Sequence, residues 1–237
     1  MDSPRNATIA SALLINCTII ATALCANVAA VVGAQAAQSG TMQRIDLAER
    51  LAAGKLRAVN RVVTKLQDKQ GAVHMSEKAD NGLAWIEGSE FGEGTIELEI
   101  RGRDVPQASF VGVAFHRKDD KTYESVYLRP FNFRSSDATR RQHAVQYMAP
   151  PEYDWPILRE KFPEEFENPV DASIAPTGWV PLRVVVTGSR IQIYVGAVNS
   201  PTLEVRKLGT LDRGMIGLWT GNNSDGDFAN LRVTPIK

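Results

Sequence analysis

Beyond residue 55 the apolar positions recur mostly with period two, in short runs bounded by Gly, Pro, Asn and Asp. The pattern predicts strands at Leu56–Leu66, Ala72–Met75, Leu83–Ile86, Thr95–Ile100, Ser109–Phe115, Glu124–Phe131, His143–Met148, Val180–Thr187, Ile191–Val195, Leu203–Val205, Met215–Thr220 and Phe228–Val233. Two of these are the clearest. Leu182, Val184 and Val186 alternate with Arg183, Val185 and Thr187; after Gly188-Ser189, Ile191, Ile193 and Val195 alternate with Gln192 and Tyr194. That is a hairpin with one face in a core. Helical spacing is confined to Gln43–Lys55, where Ile45, Leu47, Leu51 and Leu56 recur and Gly54 can end the helix. Many short strands with regular turn signals and one short N-terminal helix predict an all-β, two-sheet antiparallel sandwich of the jelly-roll kind.

The stretch Pro150–Pro176 breaks this rhythm, with six of the chain's 12 prolines: Pro150, Pro151, Pro156, Pro163, Pro169 and Pro176. Proline removes a ladder donor, so the segment is expected to be loop rather than sheet. Tyr153, Trp155, Phe162 and Phe166 argue that the loop is ordered and packed, with a helical turn around Ile157–Lys161.

Before Arg44 the only charges are Asp2 and Arg5, which flank or precede an apolar, alanine-rich run from Ala7 to Ala34 that closes on Ala34-Gln35-Ala36. A basic start, apolar centre and A-x-A end make a secretory signal peptide over residues 1–36; an uncleaved anchor helix is the alternative. Asn16 and Leu24 precede the two cysteines, Cys17 and Cys25, so neither fits a lipoprotein cleavage box. A chain cut there keeps no cysteine, which suits secretion or a periplasm without disulfides and without stable membrane insertion. Residues 37–55 then form an N-terminal segment and 56–237 the sandwich domain. The 27 basic and 27 acidic residues balance, leaving no cationic excess for nucleic acid.

Certain residues carry a family likeness. Trp179 with Leu182, Val184, Val186 and Gly188, Ile191-x-Ile193-Tyr194-Val195, Gly214-x-Ile216-Gly217-Leu218-Trp219, and Asp227-Phe228-x-Asn230-Leu231-x-Val233 resemble the concanavalin A-like (laminin-G-like) jelly-roll superfamily. Phe115-His116-Arg117 and Tyr123-Glu124 stand where the bacterial 3-keto-disaccharide hydrolase-like family has related motifs. The Val126–Phe131 strand and the proline-rich loop depart from that pattern. The resemblance implies two antiparallel sheets, one curved, with a carbohydrate bound or cleaved on the concave face or loop rim.

Several strands place polar side chains among core residues. A buried polar group must find a partner or lose free energy, so Tyr127, Arg129, Arg141, His143, Gln146 and Tyr147 are candidates for a glycan-facing surface, with Tyr153 and Trp155 as stacking platforms. Glu124 is the candidate acid or base if the protein is a glycosidase; its alternative role is an ion pair with Arg117, Arg129 or Arg141. Alternation puts Tyr127 and Arg129 on one side and Val126 and Leu128 on the other. It also puts Glu124 with Val126, unless a bulge near Ser125 turns it. Glu97 and Glu99 read as a solvated face, Trp179 and Trp219 as core, and Asp225 and Asp227 as a weak calcium candidate in a turn before the last strand. No other cofactor is expected. Carbohydrate binding is the leading expectation, hydrolysis of a 3-keto-disaccharide the second, and a structural or adhesion role the third.

Overall fold

The computed structural model describes residues 40–236. The signal-peptide segment lies outside the described residues. Along the chain the elements are β1 (Gln43–Ile45), α1 (Leu47–Ala52), β2 (Leu56–Val59), β3 (Val63–Lys65), β4 (Val73–Met75), β5 (Gly82–Phe91), β6 (Gly94–Arg101), β7 (Val111–Arg117), β8 (Glu124–Leu128), a 3-10 turn (Pro130–Asn132), α2 (Ala138–Gln142), β9 (Val145–Met148), α3 (Trp155–Lys161), β10 (Glu167–Asn168), β11 (Val180–Thr187), β12 (Arg190–Val195), β13 (Leu203–Arg206), β14 (Gly214–Thr220) and β15 (Gly226–Pro235).

The strands form two antiparallel sheets. One runs β13-β12-β11-β6-β15-β4-β3, with β1 added against β15; the other runs β10-β9-β8-β7-β14-β5-β2. The predicted jelly-roll sandwich is what the chain forms. Between the sheets lie the inward positions of each alternating strand: Ile96, Leu98 and Ile100 from β6, Leu182, Val184 and Val186 from β11, Val126 and Leu128 from β8. Such residues bury well against a facing sheet because their side chains stand off the pleat on one side only.

The differences from expectation are local. The predicted helix is shorter, because Gln43–Ile45 pairs with Leu231–Val233 and Asp46 caps the helix by accepting from the Glu49 amide. The Leu56–Leu66 run splits at Asn60, whose φ of 54° takes it out of any ladder, and at Arg61. Arg61 is buried and spends its guanidinium on Thr220 Oγ1 and on the carbonyls of Asn60, Asp80 and Gly221. The proline-rich segment holds α3, longer than the predicted turn, and one two-residue strand, β10, paired with Val145 and Gln146. Glu97 and Glu99 do lie on the outer side of their sheet, opposite Leu98 and Ile100, with Lys69 against Glu99. Trp179 is not core. It precedes the inward-facing Val180 and sits outside, under the Lys69 ammonium and the Arg101 guanidinium.

Candidate functional site

The second sheet's outer face carries the site. In an antiparallel ladder, residues opposite one another point the same way. One row across the sheet is therefore Gln146, Tyr127, Gly112, Trp219 and Leu83, each facing the next in register. Gly112 has a physical reason to be glycine. A Cβ there would lie 2.2 Å from the Val126 carbonyl oxygen and 2.6 Å from Tyr127 Cβ. The gap lets Tyr127 and Trp219 meet over the bare backbone, with ring centres 4.7 Å apart. Phe110 packs edge-on to Tyr127 and to Phe131. Trp219 is buried in the core cluster, as expected, yet it lies on the outer side of its sheet and floors this face, because Leu218 takes the inward alternation.

Arg129 follows Tyr127 on the same side, as the alternation predicts. It is 4% exposed. Its Nη2 donates to the Tyr127 hydroxyl at 2.6 Å and to Gln146 Oε1, and its Nη1 donates to the His143 carbonyl at 2.8 Å. Tyr127 also donates to Gln146 Oε1 at 2.9 Å. Burial pushes the Tyr127 phenol up to about 12 despite the neighbouring guanidinium. Behind Arg129 lies Glu167 of β10, 3% exposed. It receives Arg159 of α3 at 3.0–3.3 Å and stands 3.8 Å from Arg129 Nη1. His143 Nδ1 sits 2.7 Å from Glu167 Oε1 but outside hydrogen-bond geometry. Burial lowers the His143 pKa, and the Glu167 charge only partly offsets that.

Above this floor is a cavity of about 540 Å³, within the range of small-molecule sites. Its walls bring Tyr127, Arg129, His143 and Trp155 together with Phe110, Trp219, Asn132, Arg140 and Arg159. Trp155, at the first turn of α3, is 44% exposed, and Arg159 stacks 5.0 Å from its ring centre. Three buried atoms at the site have no hydrogen-bond partner: Asn132 Oδ1 and His143 Nδ1 on residues of the cavity wall, and Gln146 Nε2 on the neighbouring residue of the sheet. One side of the face is closed. The loop between β7 and β8 lays Asp120 and Tyr123 over it. Asp120 accepts from Trp85 Nε1 and from Arg57 and Arg117, while Tyr123 accepts from Trp219 Nε1. The two arginines hold the Asp120 carboxyl down to about 2.

Four predicted site residues, Glu124, Tyr147, Arg141 and Tyr153, lie elsewhere. No bulge occurs at Ser125, and the β7–β8 ladder runs unbroken from Phe115 opposite Glu124 to Val111 opposite Leu128. Glu124 therefore stays on the inner side, 1% exposed, with Tyr147. Its partners are not the arginines. Glu124 Oε1 is 2.8 Å from His116 Nδ1, and Oε2 accepts from the Tyr147 hydroxyl. The bulge is one strand over. The β7 register slips against β14 between Ala114 and Arg117, and His116 takes a φ of 51°, which turns its ring inward onto Glu124. Arg141 bonds the Ser135 and Ser136 carbonyls and stays off the cavity; its neighbour Arg140 lines it. Tyr153 bridges to Ala149 and lines a separate, small cavity beside Glu124. For the calcium candidate, Asp225 Oδ1 is 2.6 Å from Arg103 Nε, and Asp227 is held by Arg101 and His74. Arg103, Arg101 and His74 thus stand against these two carboxylates, and among the described residues no group of three His, Cys, Asp or Glu side chains converges.

Asn132, Arg159 and Glu167 were not foreseen. Asp137 and Asp154, which cap α2 and α3 by accepting from backbone amides at their starts, are the signal that could have placed the two helices flanking the cavity.

No family model matches the chain, and no curated protein matches it in sequence. Solved structures share its fold. A carbohydrate-binding module, CBM66 from Bacillus subtilis, superposes at a TM-score of 0.54 with 13% identity over 76% of this chain and 95% of its own. A Bacillus subtilis protein of unknown function with a galectin-like fold gives 0.56 and 12%, over 85% of this chain and 100% of its own. The exoplasmic/lumenal domain of VIP36, in its Ca2+/Man3GlcNAc-bound form, gives 0.53 and 9%, over 77% of this chain and 84% of its own. The chain has the concanavalin A-like, galectin-like jelly-roll fold. At these identities the likeness is one of fold. Among the described residues no helix is long and apolar enough to cross a membrane.

Proposed function

We propose that this is an exported carbohydrate-binding domain whose ligand sits in the cavity over Tyr127, Arg129 and Trp155. The observation that carries the reading is the pairing of an aromatic floor with a buried lining amide that still has hydrogen-bonding capacity, Asn132. A sugar ring offers an apolar face and a fringe of hydroxyls, and such a site answers both. The related fold of CBM66 and of glycan-bound VIP36 is consistent with this use of a jelly roll, although a fold does not fix a function. Because the closed side is plugged by Asp120 and Tyr123, the face suits a short ligand better than a long polymer lying across every strand.

Binding is favoured over hydrolysis of the 3-keto-disaccharide type. Glycosidases need two carboxylates flanking the bond, and the Glu124 carboxylate is enclosed with His116 and Tyr147 between the sheets. A glycan array probed with the purified protein tests the reading: discrete hits that weaken in Trp155→Ala are expected. Hits unaffected by that change would move the site elsewhere. Turnover of a 3-keto-disaccharide, lost in a folded Glu124→Gln protein, would restore the enzyme.

A further inference from the structure

The charges around the cavity are unevenly distributed. Arg129, Arg140 and Arg159 all line the cavity, beside α2 and α3. A single buried carboxylate, Glu167, stands behind them. Arg159 grips it through Nε and Nη2, and Arg129 Nη1 reaches within 3.8 Å of the same oxygen. Two cations thus share one anion. Arg140 adds a third positive group at the mouth, 62% exposed in its side chain, whose nearest carboxylate is Asp137 of its own turn at 3.9 Å. Asp154, the nearest carboxylate on the wall, spends Oδ1 on the Trp155 amide that it caps. The opposite end is different in kind: Asp80, Asn81 and Asn222 line it, with Asn222 Oδ1 accepting from the Asp80 amide. At one end three guanidinium groups line the wall against a single lining carboxylate, Asp154, with Glu167 buried behind them, while the other offers amides and an acid that suit neutral hydroxyls and disfavour a second anion.

We infer that the ligand is an acidic saccharide, whose carboxylate or sulfate ester rests between Arg140 and Arg159 while its hydroxyl-bearing part reaches toward Asn132 and Asn222. This rests on the carbohydrate reading above and narrows it to a class. The chemistry is that of guanidinium groups on one cavity wall. Their planar donor edges match the oxygens of a carboxylate or sulfate, and an aromatic wall such as Trp155 reduces the local dielectric screening that would weaken them in open water. Neutral sugars can use the same floor but leave the positive charge of the lining arginines unanswered.

The test uses the purified protein on an array of uronate-bearing and sulfated oligosaccharides, each printed beside its carboxyl-reduced or desulfated counterpart, with the leading pair followed by calorimetry. Binding to an acidic member at least roughly tenfold tighter than to its neutral counterpart is expected, a gap of about 1.4 kcal/mol. Whether the uronates or the sulfates lead identifies the anion. Arg140→Gln should erase most of that gap while leaving the melting temperature alone, since its side chain is 62% exposed. Neutral members bound as tightly as acidic ones, or a gap that survives Arg140→Gln, overturns the acidic class while carbohydrate binding stands. No hit in either half of the array overturns carbohydrate binding itself.

Discussion

Glu124 opens β8 and Arg129 follows its last residue, yet they face opposite layers. Glu124 points between the sheets, where His116 and Tyr147 enclose it. Arg129 points outward onto Tyr127 and Gln146, beneath a cavity. Both are almost fully buried and hydrogen-bonded, so burial does not separate them. What separates them is completeness. Gly92 O can only accept, so His116 Nε2 carries its hydrogen, and the other imidazole nitrogen shares a proton with Glu124. Tyr147 accepts from the Leu208 and Gly209 amides and so gives its own proton to Glu124. Every group in that inner cluster has a partner. The outer cluster leaves Asn132 Oδ1 and Gln146 Nε2 unspent. A finished network is structural, and an unfinished one beside a cavity is where a ligand can complete it.

The largest effect should come from the inner cluster. Glu124→Gln disrupts two fully enclosed hydrogen bonds, to His116 Nδ1 and from the Tyr147 hydroxyl, and each buried group left unpaired costs about 1–3 kcal/mol. Chemical denaturation should show that loss, with glycan affinity unchanged in the protein that remains folded. A stable Glu124→Gln protein with lost affinity would reverse the roles of the two clusters. Gly209→Ala attacks the same cluster from the loop side, since a Cβ there would stand 2.5 Å from the Glu124 carboxylate. It should lower the melting temperature in the same direction.

Arg129→Ala should divide its effect. It deprives Tyr127, Gln146 and the His143 carbonyl of a charged donor, which should lower stability by about 1–3 kcal/mol. It should also weaken binding, because Gln146 and Tyr127 lose the group that fixes them. Trp155→Ala should do only the second. Its ring is 44% exposed, so little core burial goes with it, and the loss of an aromatic anchor should weaken binding by about 1–2 kcal/mol, roughly tenfold. Thermal melts paired with titrations check both. Unchanged binding in Trp155→Ala would take the site off this face.

The contrast between the two clusters was half legible in the sequence. Strict alternation in Leu182–Thr187 and Ile191–Val195 fixes the β11–β12 hairpin and its inner face, and the same rule along Val126–Arg129 sends Tyr127 and Arg129 outward together. Applied without exception, that rule also put Glu124 inside. A bulge was expected at Ser125 to bring it out, whereas the bulge falls at His116 on the neighbouring strand. Bulge position depends on how three strands pair, which a single strand's pattern does not contain. Glu167 was illegible for a related reason. It belongs to a strand of two residues among prolines, and only its pairing with Gln146 makes it part of the site. Trp155 was found because a large aromatic in a polar, proline-rich loop is conspicuous on composition alone.

The smallest effect concerns the clasp that closes one side of the face. Arg57, Arg117 and the Trp85 indole hold Asp120, and the arginines depress its pKa to about 2. A carboxyl whose folded value lies below its ordinary value of about 3.9 contributes stability above that value and loses it as the pH falls toward the folded one. The clasp should therefore hold unchanged from neutral pH down to about 4 and loosen only between about 4 and 2. The side chain is 37% exposed, so salt screens it and the gain is modest. The expected observation is Trp85 fluorescence that stays constant to mild acid and shifts below it before the global transition. In Asp120→Asn the shift should vanish, and the closed side should admit longer saccharides with slightly higher affinity. A shift already present at pH 6 would mean that His143, whose lowered pKa favours the neutral ring and so costs stability as it protonates, governs the acid response of this face instead.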